Sequence, residues 1–208
     1  AGDYESAIAA YKALSVFNSM SFVTDGGKNW AAKEHIPAAY YAWADVCLEK
    51  RDFKSAVEYF ESAGNYLDAS SRIDDVYYAQ GEYQLSLGRF DDAIKSFGWT
   101  GKYKDAGTRI LMCYYAKGEA LLQEVDYDGA ASAFKSAGNY SDAADRIKDC
   151  RYEQGKACIA EGENDAAITA FNAAGKYKDA ETMILSVYYL QAQTEMEAGN
   201  FKKAEDLF

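Results

Sequence analysis

GKYKDA stands at residues 101–106 and again at 175–180. Looser versions, GNYLDA at 64–69 and GNYSDA at 138–143, halve that separation and give a period of 37. Other columns keep the same register. Phe60, Phe97, Phe134, Phe171 and Phe208 recur at 37, as do Ala56, Ala93, Ala130, Ala167 and Ala204. Tyr41, Tyr78, Tyr115, Tyr152 and Tyr189 make a further column, and the register holds without a gap from about residue 36 to the end. A repeat of this length is one supersecondary unit that buries its apolar face only by stacking on its neighbours.

The code within one unit is legible between Asp105 and Gly138. Asp105 is placed to cap a helix, its carboxylate accepting from a backbone N–H of the first turn. Ile110, Cys113, Tyr114, Gly118, Leu121 and Leu122 then recur at helical spacing. A break falls near Val125–Asp126, where other units carry Gly88, Gly162 or Gly199, residues suited to a left-handed helix end. A shorter helix follows from Tyr127, with Ala130, Ala131 and Phe134 on one face, and Gly138 ends it. Gly81, Gly118 and Gly155 (Ala44 and Ala192 elsewhere) fall in the middle of the long helices, where Gly costs about 1 kcal/mol relative to Ala. That repeated cost predicts an aromatic ring of the partner helix packed directly on the backbone.

The run YAQGEYQLSLGRFDDAIKSF, Tyr78 to Phe97, resembles a tetratricopeptide repeat: Gly in the first helix, a Gly-x-aromatic turn, then Ala and an aromatic four residues on. The resemblance implies an all-α, right-handed superhelical solenoid of antiparallel helix pairs, five pairs after one N-terminal helix. Combined with the columns, it divides a single domain, 1–208, into a half repeat at 1–14, an irregular apolar insertion at 15–33, and repeats at 34–67, 68–104, 105–141, 142–178 and 179–208. The period is 37 where the family usually has about 34, and G-[NK]-Y-x-D-A replaces the usual proline between repeats. In both respects the chain is similar to repeats of multi-domain proteins from Gram-positive gut bacteria.

One segment departs from the register. Tyr4 aligns with Phe53 only after an insertion between Leu14 and Trp30, which includes Val16, Phe17, Met20, Phe22 and Val23. The insertion is expected to cover Trp43, which stands in a column otherwise held by Gln and Lys. Pro37, the single proline, places the start of the first long helix near itself, since proline is best tolerated in a first turn.

Candidate chemistry is sparse. His35 is the only histidine, so neither a triad nor a His-rich metal site has its partners, and no cofactor or metal is expected. Cys47, Cys113, Cys150 and Cys158 form no CxxC pair. Cys113 and Cys150 share a column with Val76 and Val187, a small buried position, which makes them reduced core thiols. No phosphate loop, nucleophile elbow or zincin motif occurs. A net charge of −11 opposes binding to nucleic acid phosphates. No run of about 18 apolar residues is present. Both termini read as cuts within a longer protein. The thiols lean to a reducing, cytoplasmic compartment, with a membrane-tethered or cell-surface setting as the alternative.

The tyrosines, 18 in 208 residues, carry the functional signal. In the family resembled, the first helix of each pair lines a concave groove that takes a peptide. By that likeness Tyr41, Tyr78, Tyr115, Tyr152 and Tyr189 line the groove, with Asp45, Glu82 and Glu119 one turn later, acidic toward the N-terminal repeats. The competing reading packs these tyrosines between repeats. The function expected is a non-enzymatic protein-interaction scaffold for a peptide or protein segment of basic or mixed charge. The alternatives are an accessory domain of an enzyme whose catalytic part lies outside the fragment, and self-association through the ends of the array.

Overall fold

A computed structural model of the chain describes residues 29–207 together with Ser6, Ile8 and Ala9; from 29 to 35 it describes the backbone alone. Most of the half repeat at 1–14, the insertion up to residue 28, the cover expected over Trp43, the side chain of His35 and Phe208 lie outside the described residues. The described residues form ten helices and no strand, long alternating with short: α1 Asn29–Glu49, α2 Phe53–Ala63, α3 Ala69–Ser86, α4 Phe90–Trp99, α5 Ala106–Gln123, α6 Tyr127–Ala137, α7 Ala143–Glu161, α8 Asn164–Ala174, α9 Ala180–Glu197 and α10 Phe201–Leu207. They fall into two compact units, Ala1–Gly107 and Thr108–Phe208, the boundary lying in the first turn of α5. In the first unit α1 packs on α2, α2 on α3 and α3 on α4; in the second, α6 packs on α7 and so on, each helix on the next, to α10.

The repeated columns are the core. Phe60, Phe97, Phe134 and Phe171 are fully buried, and so are Ala56, Ala93, Ala130 and Ala167. Removing one phenylalanine side chain from water contributes about 1.5–3 kcal/mol. Each ring from Phe97 onward presses on a long-helix glycine, as the sequence predicted. A Cβ built on Gly81 would meet Phe97 at 2.8 Å, one on Gly118 would meet Phe134 at 2.8 Å, and one on Gly155 would meet Phe171 at 2.7 Å. The all-α helix-pair reading is thus realised by the residues that suggested it.

The connectors are equally regular. Gly64, Gly138 and Gly175 adopt φ 62°, 62° and 64° with ψ near −120° or beyond, a region that excludes a Cβ. Three residues later Leu67, Lys104, Ser141 and Lys178 are left-handed as well, at φ 48°, 46°, 52° and 49°. The turn inside each pair also needs one left-handed residue. Gly88, Gly162 and Gly199 supply it in three repeats, but Arg51 and Val125 do so at φ 61° and 64°. For β-branched Val125 this is strained backbone.

Two local expectations are corrected. Helix α1 begins at Asn29 and carries Pro37 in its interior. Ala31, Ala32, Ala38 and Ala39 flank the proline, and strong helix formers on both sides carry the helix across one missing ladder bond. Three of the connector aspartates do not cap through their side chains either. Asp68, Asp142 and Asp179 sit at φ about −102° and ψ 22–26°, outside the extended conformation a capping carboxylate needs, and make no side-chain cap bond. Side-chain capping occurs instead on short helices, where Asp52 accepts from Ser55 N at 3.2 Å and Asp126 from Gly129 N at 2.9 Å.

Candidate protein-binding site

The connector carboxylates are engaged by the tyrosine column. Tyr41 Oη donates to Asp68 at 2.6 Å, Tyr115 to Asp142 at 2.6 Å and Tyr152 to Asp179 at 2.5 Å; Tyr78 donates to Asp105 in the same way. Each ring also stands edge-on or tilted to the phenylalanine of its own repeat, at 5.2–5.6 Å between centroids. A second contact at 5.6–6.3 Å reaches the connector tyrosine at the end of the same repeat: Tyr66, Tyr103, Tyr140 or Tyr177. The column therefore spans the joints between repeats. Tyr152 is only 8% exposed, whereas Tyr189 is 55% exposed, its hydroxyl accepting from Gln193. The bonds leave an electrostatic trace. Hydrogen bonding to the carboxylates raises the Tyr115 and Tyr152 phenols, and the same bonds hold Asp142 and Asp179 below the usual carboxylate value.

The acidic column is also partnered. Arg72 binds Asp45 at 2.6 Å, and Arg146 grips Glu119 with two nitrogens at 2.7 Å each. Both arginines continue to an acid one turn along, Arg72 to Asp75 at 3.5 Å and Arg146 to Asp149 at 3.2 Å. The connector lysines close the series. Lys104 reaches Asp75 at 3.0 Å and Lys178 reaches Asp149 at 2.6 Å. Tyr103 and Tyr177 donate to the same two aspartates. Each ammonium also lies over two tyrosine rings, Lys104 at 4.6–4.9 Å and Lys178 at 4.8–5.1 Å, a cation–π placement. Burial pushes Asp75 up, yet the Tyr103 hydroxyl and Lys104 outweigh it and hold Asp75 below its ordinary value.

In the first unit these residues border an open pocket of about 790 Å³ on the faces of α1 and α3. Phe53, Tyr78 and Tyr83 supply its aromatic surface. Arg51, Arg72, Lys104, Glu49, Asp75 and Glu82 bring charges of both signs to its lining. The Arg51 guanidinium lies 4.8 Å over the Tyr83 ring, which itself packs against Phe53 at 5.9 Å. Two residues expected from the sequence, Tyr78 and Glu82, line this pocket. Arg51, Phe53, Tyr83 and Lys104 were not singled out there. The signal for Arg72 and Lys104 was in the columns: Asp45 and Arg72, or Glu119 and Arg146, hold the same offset, and the pairing lapses where Met183 stands at that offset from Lys156.

The remaining candidates are quickly placed. None of the four cysteines is in a disulfide; Cys47, Cys113 and Cys150 are buried, and burial pushes the Cys150 thiol up to about 11. Among the described residues, no group of His, Cys, Asp and Glu is arranged to hold a metal, and no helix is long and apolar enough to cross a membrane.

No curated protein sequence matches the chain. Among solved structures it is similar to BtubC from P. vanneervenii, at 14% identity over 100% of this chain and 89% of that one, with a TM-score of 0.23. Aspartyl phosphate phosphatase F from Bacillus subtilis shows 17% identity over 85% of this chain and 50% of its own length, with a TM-score of 0.26. The sequence itself is more specific: residues 75–144 match the family model described as Tetratricopeptide repeat. With the same columns and the same helix pairs recurring on either side of that stretch, the chain is an all-α helical-repeat protein similar to that family.

Proposed function

We propose that the chain is a non-enzymatic protein-interaction scaffold, and that its long-helix face in the first unit takes a peptide or protein segment. The observation that carries this reading is the pocket of about 790 Å³, which offers aromatic surface between charges of both signs. Aromatic rings beside Arg are common anchors of protein interfaces. Tyr78 and Glu82 contribute from the expected columns, with Tyr41, Tyr115, Tyr152, Tyr189, Asp45 and Glu119 at equivalent positions. Because Asp45 and Glu119 already hold arginines, the face is mixed in charge, and a mixed-charge segment with an apolar anchor suits it better than a purely basic one.

The test uses Tyr83→Ala and Glu49→Ala together; Tyr83 packs on Phe53 of the preceding repeat, so folding is checked alongside. Immobilised chain should lose a captured partner on this double substitution while its far-ultraviolet circular dichroism stays the same. Capture should also weaken as salt rises. Undiminished recovery by the double variant would count against the site, and recovery insensitive to salt would remove the role of its charges.

A further inference from the structure

A second cavity, of about 650 Å³, opens in the second unit among α8, α9 and α10. Asp165, Glu195 and Asp206 border it, with Lys203 beside them and Tyr188, Gln191 and Ile168 on its wall. Acidic residues around a hollow would mean little alone. The preceding repeat shows what the same positions do. There Arg151 donates to Asp128 and, at 2.8 Å, to the Gln154 amide oxygen, while the Gln154 amide nitrogen lies 3.4 Å from Asp128. The arginine holds Asp128 below the usual carboxylate value.

One period on, the receptor is kept and the arginine is gone. Asp165 replaces Asp128 and Gln191 replaces Gln154, with Gln191 Nε2 donating to Asp165 at 3.1 Å. Tyr188 stands where Arg151 stood. Lys203 does not substitute for the guanidinium: it lies 3.7 Å from Glu195, which also accepts from Asn200 at 2.7 Å.

We propose that this cavity is a docking site for an arginine side chain of a protein partner. The guanidinium would lie between the Asp165 carboxylate and the Gln191 amide, as that of Arg151 does one repeat earlier. A planar fork of N–H donors matches an acid beside an amide oxygen better than an ammonium does. The three carboxylates outweigh the lysine and supply the field, and Tyr188 supplies a face for the guanidinium to stack on. The site shares no residue with the first-unit pocket and rests on the scaffold reading only in assigning the arginine to a protein.

The probe is the peptide acetyl-Ala-Arg-Ala-amide, titrated into 15N-labelled chain, with lysine and citrulline versions as controls. The arginine peptide should shift the amides of Tyr188, Gln191 and Asp165, the lysine peptide should do so more weakly, and the neutral citrulline peptide should not. Asp165→Asn should weaken the arginine peptide roughly tenfold, the worth of one charge-assisted hydrogen bond. Tyr188→Arg should abolish binding, because it returns an in-chain guanidinium to Asp165. Tyr83→Ala with Glu49→Ala should leave the titration unchanged, which separates this site from the first. Equal binding of the citrulline peptide, unchanged affinity in Asp165→Asn, or absence of shifts with the arginine peptide would each overturn the proposal.

Discussion

The two compact units carry the same series of charges and differ around it. Asp45, Arg72, Asp75 and Lys104 in the first correspond, two periods on, to Glu119, Arg146, Asp149 and Lys178 in the second. The borders diverge. Arg51, Glu82, Tyr83 and Ser86 become Val125, Lys156, Ala157 and Ala160. Residues that tie one helix to the next are held by geometry, because changing one member leaves its partner charge half-buried and unpaired. The residues on the rim differ from one unit to the other. The comparison also explains why GKYKDA occurs in only two of the four connectors. The Lys104 and Lys178 that set GKYKDA apart each pair with an aspartate on the long helix of the same repeat, Asp75 or Asp149; the GNYLDA and GNYSDA connectors have Ala38 and Met112 in that position.

The strongest way to break the comparison is at the glycines. Gly81→Ala in the first unit and Gly118→Ala in the second each drive a Cβ into a buried phenylalanine ring. Each should destabilise by about 1–3 kcal/mol in urea unfolding followed by circular dichroism. Equal tolerance of alanine in either unit would show that the rings are not held as tightly as their full burial implies.

A constructive test is to install the tie where it is missing. Met112→Asp with Ser141→Lys places the aspartate and lysine of the tied joints at an untied one. A double-mutant cycle should return a favourable coupling of about 0.5–1 kcal/mol, since the pair is half exposed. Coupling near zero would mean that the tie depends on Arg72 and Arg146 as well as on the aspartate and lysine.

Val125→Gly should stabilise the second unit by about 1 kcal/mol or less, by relieving a β-branched residue held at φ 64°. Part of that relief is offset by glycine's freedom in the unfolded chain. Arg51→Gly is the first-unit counterpart, and its smaller gain in thermal midpoint would reflect the lost contact with Tyr83.

The smallest effect is that of pH. Asp142 and Asp179 are held below the ordinary 3.8 by tyrosine hydroxyls, so their bonds stabilise above that value and are lost as pH falls through the lower folded values. Tyr115 and Tyr152 are raised above 10.0, so the same bonds stabilise below it and are lost as pH rises through the higher folded values. The urea midpoint should decline at both ends, and Asp142→Asn should flatten both limbs. Limbs unchanged by this substitution would remove the Tyr–Asp bonds from the account.

Much of the fold was legible because it is repetitive. A glycine that must meet a ring, a phenylalanine that must be buried and a connector glycine that must be left-handed recur at one spacing. The site was less so. Asp105 and its siblings look like caps to any local reading, and only the neighbouring repeat reveals that a tyrosine claims the carboxylate. Asp45 and Glu119 look like free acids on a groove until Arg72 and Arg146, each from the next long helix, are brought beside them. The pocket residues Arg51 and Tyr83 have no column to announce them, since each differs between repeats.

Period, helix pairing and the composition of the core follow from the sequence alone, because steric and apolar constraints act within a few turns and repeat identically. The tertiary structure decided which polar groups are already committed to one another. Hydrogen bonds and ion pairs are made between helices of successive repeats, and their energies depend on ångström distances that no linear pattern states. The tyrosines sit in the joints for that reason, and the open chemistry lies on the rims beside them.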